Sequence, residues 1–463
     1  MRRRRSFAQC CLWSFCLLLS GCAETGFEIS SPSSLSFEEL KQRVARIRGL
    51  SFQREVYLET TSIEAIRAIL EKSLWEEYGQ ENLQQVARVY ARLGLLPEAT
   101  DLAKTLLDLR LFYQGMHQDS RGKTIFLPKG PWKPGLTFPG SSPTREDATK
   151  QILLVQALTR ILQEQHFNWE EKIRNRNTGD SRLTLRALRE GDAFLVALAH
   201  LMGGPQENRQ KIVNGLRGLR GLPAQIDKEL SRFPELLRQE VAFQYLQGGE
   251  FVSWAYAVKG WEGVNSLFQH PPLSTAQILH PEKYYVKRHD PVRITPWGLI
   301  RPFRGKMIMD ETLGEFLIQS LLSQTLSKGE ARQAAAGWSG DSLLAFQQGE
   351  ELVLGWVTAW DDREKAREFY RSYRRALERR HGFSLESSQS GIDVLMSPPQ
   401  SNRSLLLQIK DHFVLFLDGI PAPRSAEIAG TIWNDLETGA EPEPEPRAIA
   451  IENHSGSPAS SSG

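Results

Sequence analysis

All four cysteines, Cys10, Cys11, Cys16 and Cys22, stand in the first 22 of 463 residues. The body of the chain therefore has no thiol for a disulfide, a thiolate metal site, an iron–sulfur cluster or a covalent nucleophile. Histidine chemistry is hardly better supplied. His166, His200, His270 and His280 show no paired i, i+4 spacing, so each reads as a hydrogen-bonded structural residue. There is no G-x-S-x-G around a serine. Gly215-Leu216-Arg217-Gly218-Leu219-Arg220-Gly221 could attract phosphate through its arginines, but it lacks the G-x-x-x-x-G-K-S pattern of a phosphate cradle and reads as a loop. Trp338, Trp356 and Trp360 could stack on a sugar or peptide, yet tryptophan at such positions is more often core. Lys plus Arg number 57 against 55 Asp plus Glu. Setting aside Arg2, Arg3, Arg4 and Arg5, which belong to an export signal, leaves 53 against 55, so no nucleic-acid partner is expected.

The amino terminus carries one defined chemistry. Arg2 to Arg5 form a cationic region, and Phe7 to Leu19 an apolar run too short for an ordinary membrane span. The run ends in Leu19-Ser20-Gly21-Cys22, which resembles a bacterial lipobox. There small residues admit the signal peptidase, and the cysteine sulfur takes a diacylglycerol before cleavage. Cys22 would become the first residue of the mature protein, with its acyl chains in the bilayer as the membrane partner. Ala23 follows where retention at the inner membrane would want an aspartate, which favours the periplasmic face of an outer membrane. Arg4-Arg5-Ser6-Phe7 also resembles the core of a twin-arginine signal.

A second informative stretch is Val155-Gln156-Ala157-Leu158-Thr159-Arg160-Ile161-Leu162-Gln163-Glu164-Gln165-His166-Phe167, followed by Glu190-Gly191-Asp192-Ala193. It resembles a family of bacterial and archaeal predicted zinc metallopeptidases with the signature H-E-L-T-H-A-L-Q-D-Q-H-F and a later E-G-D-A. Leu158, Thr159, Leu162, Gln163, Gln165, His166 and Phe167 carry the likeness, with the Glu190 segment. Trp261-Glu262, Pro271 to Thr275, Ile278 to Tyr284, Leu313-Gly314-Glu315 and Ala334 to Trp338 resemble that family's later segments in order, so the resemblance covers most of 54–420. The departure falls on the chemistry. An H-E-x-x-H zinc site needs two imidazoles, a glutamate base beside the first and a third ligand from a neighbouring helix. The resemblance places Gln156, Ala157 and Arg160 at the two histidines and the base, and Glu190 at the third ligand. An amide is a poor zinc ligand, an alanine carries no proton, and a guanidinium repels the metal. Neither a catalytic residue nor a metal cofactor is expected here. Without the ion, Glu190 would need a counter-charge, and Arg160 could bind it in bidentate fashion as a bridge between helices. The alternative is an Arg160 turned to solvent.

The elements that would position these residues give a predominantly helical α+β protein. A flexible tether is expected over 22–50, after the signal peptide of 1–21, and a metallopeptidase-like helical body over 51–340. In that body a strand is read over 54–60 and helices near 63–74, 82–93, 98–111, 145–166, 182–202, 227–268 and 311–328. Leu111 to Tyr113 and Thr124 to Leu127 read as a hairpin. Five prolines between Pro128 and Pro143 mark a loop. A small α+β module of strands with helices near 363–380 and 423–435 is expected over 341–437, before a disordered acidic, Pro- and Ser-rich tail over 438–463. Within the module, Gly340-Asp341-Ser342-Leu343 matches a short lipase and esterase signature, but the chain has no D-x-x-H partner for it.

Three functional readings follow: a lipid-anchored pseudopeptidase that binds peptide or envelope protein in the old cleft, a hydrolase using another site, and a structural envelope lipoprotein with a filled cleft. All three rest on the anchor. Cys22→Ser is expected to leave an uncleaved or soluble precursor that no longer enters a detergent phase. An unmodified amino terminus at any other residue, seen by mass spectrometry of the mature wild type, would count against the lipobox.

Overall fold

The computed structural model describes residues 35–440, apart from 114–115, 120–121, 131–145, 204–208, 220, 296, 304, 383–385, 388–392 and 397–402. The expectations for the export signal, Cys22, most of the proline-rich loop and the tail beyond Ala440 lie outside these residues. Among the described residues no helix is long and apolar enough to cross a membrane.

The first element corrects the expected tether. Residues 37–48 form a helix, α1 (Phe37–Arg48), opened by a reciprocal capping box between Ser36 and Glu39 and closed by Gly49 in the left-handed region. Leu40, Val44 and Ile47, spaced at i, i+4 and i+7, are buried against the body. A short parallel-and-antiparallel sheet follows, built from β1 (Tyr57–Thr61), β2 (His117–Gln118) and β3 (Thr124–Pro128) in the order β1-β3-β2. Between β1 and β2 run α2 (Ile63–Tyr78), α3 (Gln80–Leu93) and α4 (Leu102–Tyr113). The expected hairpin is therefore shifted, because Leu111 to Tyr113 complete α4 and the strand pairing with β3 is His117–Gln118.

The helical body is organised on three helices. α5 (Glu146–Phe167) leads through α6 (Trp169–Arg174) into α7 (Gly179–Leu201). Then α8 (Arg209–Gly218) and α9 (Leu222–Glu229) precede α10 (Glu235–Gln269). Within the Gly- and Arg-containing stretch read as a loop, Gly215 to Gly218 instead complete α8, with Gly215 buried. α10 is bent at Gly260, whose φ of 62° and ψ of −148° interrupt the helical ladder. α7 is buried along almost its whole length and crosses α10 where Gly191 meets Gly248.

The carboxy-terminal half follows through α11 (Thr275–Leu279), α12 (Glu282–Tyr285), β4 (Val292–Thr295), α13 (Trp297–Ile300), β5 (Lys306–Glu311), α14 (Gly314–Ser323) and α15 (Lys328–Ala335). Next come β6 (Trp338–Gln348), β7 (Glu351–Trp360), α16 (Arg363–His381), β8 (Glu386–Ser387), β9 (Asp393–Met396), β10 (Arg403–Lys410), β11 (Phe413–Pro421), α17 (Ser425–Asn434) and β12 (Glu437–Ala440). One sheet runs β5-β6-β7-β11-β10-β9-β8, and β12 pairs with β4. The period of two sorts its side chains between two cores. Leu343, Leu407 and Phe416 face the main core with α16, whereas Leu344, Leu406 and Leu415 face Leu299 of α13 and Ile428 and Ile432 of α17. The α+β module therefore does not begin at 341. β5 belongs to its sheet, β6 crosses the 340/341 boundary, and β12 carries ordered structure to Ala440. The fold is α+β and predominantly helical, as the patterning implies.

The α7–α10 crossing admits no side chain. A Cβ on Gly191 would lie 2.2 Å from the backbone carbon of Gly248, where neither helix can yield locally. Gly191→Ala is expected to destabilise the protein by about 3 kcal/mol, at the upper end of overpacking costs. Urea unfolding followed by circular dichroism measures it, and an unchanged midpoint would refute the close packing.

Candidate functional site

The residues singled out from the sequence converge between α5 and α7. Arg160 and Glu190 are both buried, and Arg160 Nη1 lies 3.1 Å from Glu190 Oε2. The bridge uses a single guanidinium nitrogen, not the expected bidentate fork, because the other carboxylate oxygen is taken. Glu190 Oε1 lies 3.1 Å from Nε of the adjacent Arg189, whose Nη1 reaches Glu170 at 2.6 Å. Two guanidinium groups therefore hold the Glu190 carboxylate. Gln156 and Ala157 are buried on the same helix, and Gln156 Nε2 has no hydrogen-bond partner among the described residues. This donor set does not fit zinc. A fixed cation touches the carboxylate at the third-ligand position, no imidazole stands at the first two, and an alanine methyl replaces the base.

The residues after Arg160 that carry the resemblance have structural work instead. Gln163 Nε2 donates to Asp192 Oδ2 at 2.8 Å and to the Arg189 carbonyl at 3.1 Å. Gln165 Oε1 accepts from the backbone of Gln53 and Arg54, while its Nε2 donates to the carbonyls of Arg54 and Gly122. His166 Nε2 is 2.7 Å from the Ser51 carbonyl, and Phe167 stacks on Phe268 at 4.8 Å. These side chains bolt the segment entering β1 onto α5.

Asp192 is held by a residue that sequence reasoning assigned to the tether. Arg48 Nε lies 3.0 and 3.1 Å from its two oxygens, and both side chains are fully buried. Arg48 Nη1 also donates to Asn265 at 2.6 Å, and its guanidinium sits 5.1 Å from the Trp261 ring centroid. The signal was present, since a capping box and an i, i+4, i+7 apolar stripe place Arg48 in the last helical turn beside Ile47.

Beside the Arg160–Glu190 bridge lies a cavity of about 110 Å³. Arg110, Arg160, Arg186 and Arg189 line it with Glu77, Glu170 and Glu240. Glu77 pairs with Arg110 at 3.0 Å and with Arg186, which also donates to the Tyr78 hydroxyl at 2.6 Å. Burial lowers the Arg186 guanidinium to about 10 and raises Tyr78 to about 12. Burial, reinforced by Arg160 and Arg110, pushes His117 down to about 3, so the imidazole is neutral. Burial also pushes Glu240 up to about 7, against the pull of Arg186 and Arg110. His117 lines a second, open concavity of about 590 Å³ together with Ile63, Phe112, Arg232 and Phe233. The two concavities share one lining residue, His117 of the sheet-edge strand β2, and the larger mixes apolar walls with Arg67, Asp108 and Arg232. Sequence reasoning missed Arg110, His117, Arg186 and Glu240. The only hint was the i, i+3 spacing of Arg186 and Arg189 on the stripe of α7 that ends in Glu190.

The other candidates are structural. Asp341 of the lipase-like tetrapeptide accepts from the backbone of Leu313 and Gly314 and from the indoles of Trp338 and Trp356, all at 2.9 Å. Trp338, Trp356 and Trp360 are buried in the core. His280 is bonded to buried Glu315 at 2.6 Å. No group of three or more potential metal ligands occurs among the described residues.

A family model described as a domain of unknown function (DUF8575) matches residues 301–423, the segment that carries β5 to β11 and the helices between them. Nothing matches among curated proteins or among solved structures.

The buried bridge sets a clear expectation. Arg160→Ala should destabilise the protein by about 3 kcal/mol, the lower end for breaking a buried pair, since Arg189 still touches the carboxylate. The double change with Glu190→Gln should cost less than the single one. A double mutant that loses as much as the sum of the two single changes would show that the two groups are not coupled.

Proposed function

We propose that this chain is a lipid-anchored bacterial envelope protein of metallopeptidase-like descent that binds, and does not cleave, a peptide or envelope-protein segment. The observation that carries the reading is the Arg160–Glu190 bridge, which puts a guanidinium where a zinc peptidase would need its ion. Loss of one ligand could be compensated, but two ligands and the base are replaced together. The acyl chains expected on Cys22 would hold the body at the periplasmic face of the membrane, outer in preference to inner.

The outer groove supports binding. Its volume of about 590 Å³ lies in the range of ligand clefts, and its lining joins Ile63, Phe112 and Phe233 to Arg232, which stacks on both rings at 4.2 and 4.7 Å. β2 is the edge of its sheet and contributes His117 to the groove, so an extended peptide could pair with it while placing side chains against the apolar walls. The small inner cavity speaks for partial filling of the old cleft and keeps a structural lipoprotein as the second reading.

The purified mature protein should hold far less than one zinc per chain, show no chelator-sensitive peptidase activity, and keep its thermal midpoint in chelator. Stoichiometric zinc by elemental analysis, lost on Glu190→Gln, would overturn the reading. Restoring Gln156→His, Ala157→Glu and Arg160→His together is the converse test of how far the surrounding side chains still support an ion.

A further inference from the structure

The inner cavity has more hydrogen-bond donors than its own carboxylates use. Arg110, Arg160 and Arg186 each engage one nitrogen in the bonds they make to Glu77, Glu190 and Tyr78, out of five N–H groups apiece. Gln244 is buried in the lining, and its amide makes no hydrogen bond to a described residue. His117 is 3% exposed and makes none either; its Nδ1 is buried and unpartnered. On the acceptor side, Glu77, Glu170 and Glu190 are each already in contact with one or two guanidinium groups. Of the lining carboxylates Glu240 alone accepts no hydrogen bond and makes no ion pair with a described residue, and Gln118 Oε1 is a buried acceptor also without a partner among the described residues.

Charge gives the same result. Four arginines and three glutamates line the cavity, and Glu190 behind the wall balances the fourth arginine while Glu240 is ionised. Protonating Glu240 leaves one uncompensated positive charge. A monoanion restores neutrality, whereas a dianion overshoots it. The volume of about 110 Å³ suits a group of a few heavy atoms.

We propose that this cavity is a carboxylate-binding site, in which the spare N–H groups of Arg160 and Arg186 and the Gln244 amide receive a ligand carboxylate while Glu240 takes up a proton and shares it with the ligand. The source is either a small monocarboxylic acid or the free carboxy terminus of a peptide lying in the outer groove. The second source rests on the binding reading above; the first does not. No covalent bond is made or broken.

Glu240 is packed among Glu77 and Tyr78 of α2, Tyr90 of α3, Arg110 of α4, Arg182 and Arg186 of α7, and Glu311 of β5. Its carboxyl, held near 7 by burial, is mostly protonated at pH 6 and mostly ionised at pH 8. Because the ligand is an anion and binding requires the proton, affinity is full below the Glu240 pKa and falls as pH rises through it.

The test uses residues 22–463 produced without the export signal and carrying Cys22→Ser, with acetate, N-acetyl-trialanine and the amide of that tripeptide as probes, read by NMR line broadening at both pH values. Acetate should saturate at pH 6 and bind about tenfold more weakly at pH 8, the loss set by the change in protonated Glu240. Sulfate, a dianion at both pH values, should compete poorly. Glu240→Gln, which mimics the protonated acid, should bind acetate equally at both pH values, and Gln244→Leu should weaken binding without lowering the thermal midpoint. A peptide terminus as the source predicts that the tripeptide acid binds more tightly than acetate and its amide does not bind. A small acid as the source predicts no gain from the tripeptide. Absence of saturation by acetate and tripeptide at either pH, which leaves water as the only occupant, would overturn the site. So would a pH dependence that survives in Glu240→Gln. If the amide binds as well as the acid, the carboxylate site falls while the peptide groove stands. Zinc content and peptidase assays read the wider reading separately.

Discussion

A carboxylate removed from water must find a cation or several N–H and O–H donors, and α7 imposes that demand three times. Asp180, Glu190 and Asp192 are all buried on it, and each is answered by residues of other helices. Asp180 accepts from the backbone and hydroxyl of Thr275 at the start of α11, and that hydroxyl in turn accepts from the backbone of Phe316 in α14. Glu190 is answered by Arg160 of α5, and Asp192 by Arg48 of α1 and Gln163 of α5. The helix is thereby fixed to four others through its acids, while Gly191, between two of them, presses against α10. Polar and apolar contacts specify the same arrangement, which is the consistency expected of a unique fold.

Much of this was readable in the sequence where periodicity alone decides structure. The strands and helices of the carboxy-terminal sheet alternate or repeat cleanly, because each face meets a core of its own. The Arg160–Glu190 contact was readable because a family outline brought two distant segments together and charge did the rest. The errors have physical causes. α1 is short and polar on average, so its apolar stripe was outweighed by the serines before it, although the capping box and closing glycine were both in view. Leu111 to Tyr113 look like strand residues in isolation, yet the helical ladder of α4 runs on through them, since tertiary packing outranks β propensity. The boundary near 340 failed because β5 pairs with β6 from the far side of two helices, a non-local contact with no sequence signature.

The inner cavity was hidden for a different reason. Its lining draws on seven elements, α2, α4, β2, α5, α6, α7 and α10, so no spacing rule within one element brings them together. What marks it is an imbalance between donors and acceptors, which appears only once every partner has been assigned. The Arg160 guanidinium beside Glu190 is a permanent charge that cannot dissociate. Glu77, Glu170 and Glu190 are likewise each matched by fixed cations.

The docking of α1 also has a mechanical side. Were Cys22 acylated as proposed, the 14 residues from Ala23 to Ser36 would let the body stand at most about 50 Å from the bilayer when drawn straight. The first described helix after them is α1, and its innermost grip on the body is the Arg48–Asp192 pair, supported by Asn265 and the face of Trp261. Tension applied there would load that grip, shielded from salt by burial, before it reached the rest of the molecule. A pull from the membrane would therefore peel away α1 first.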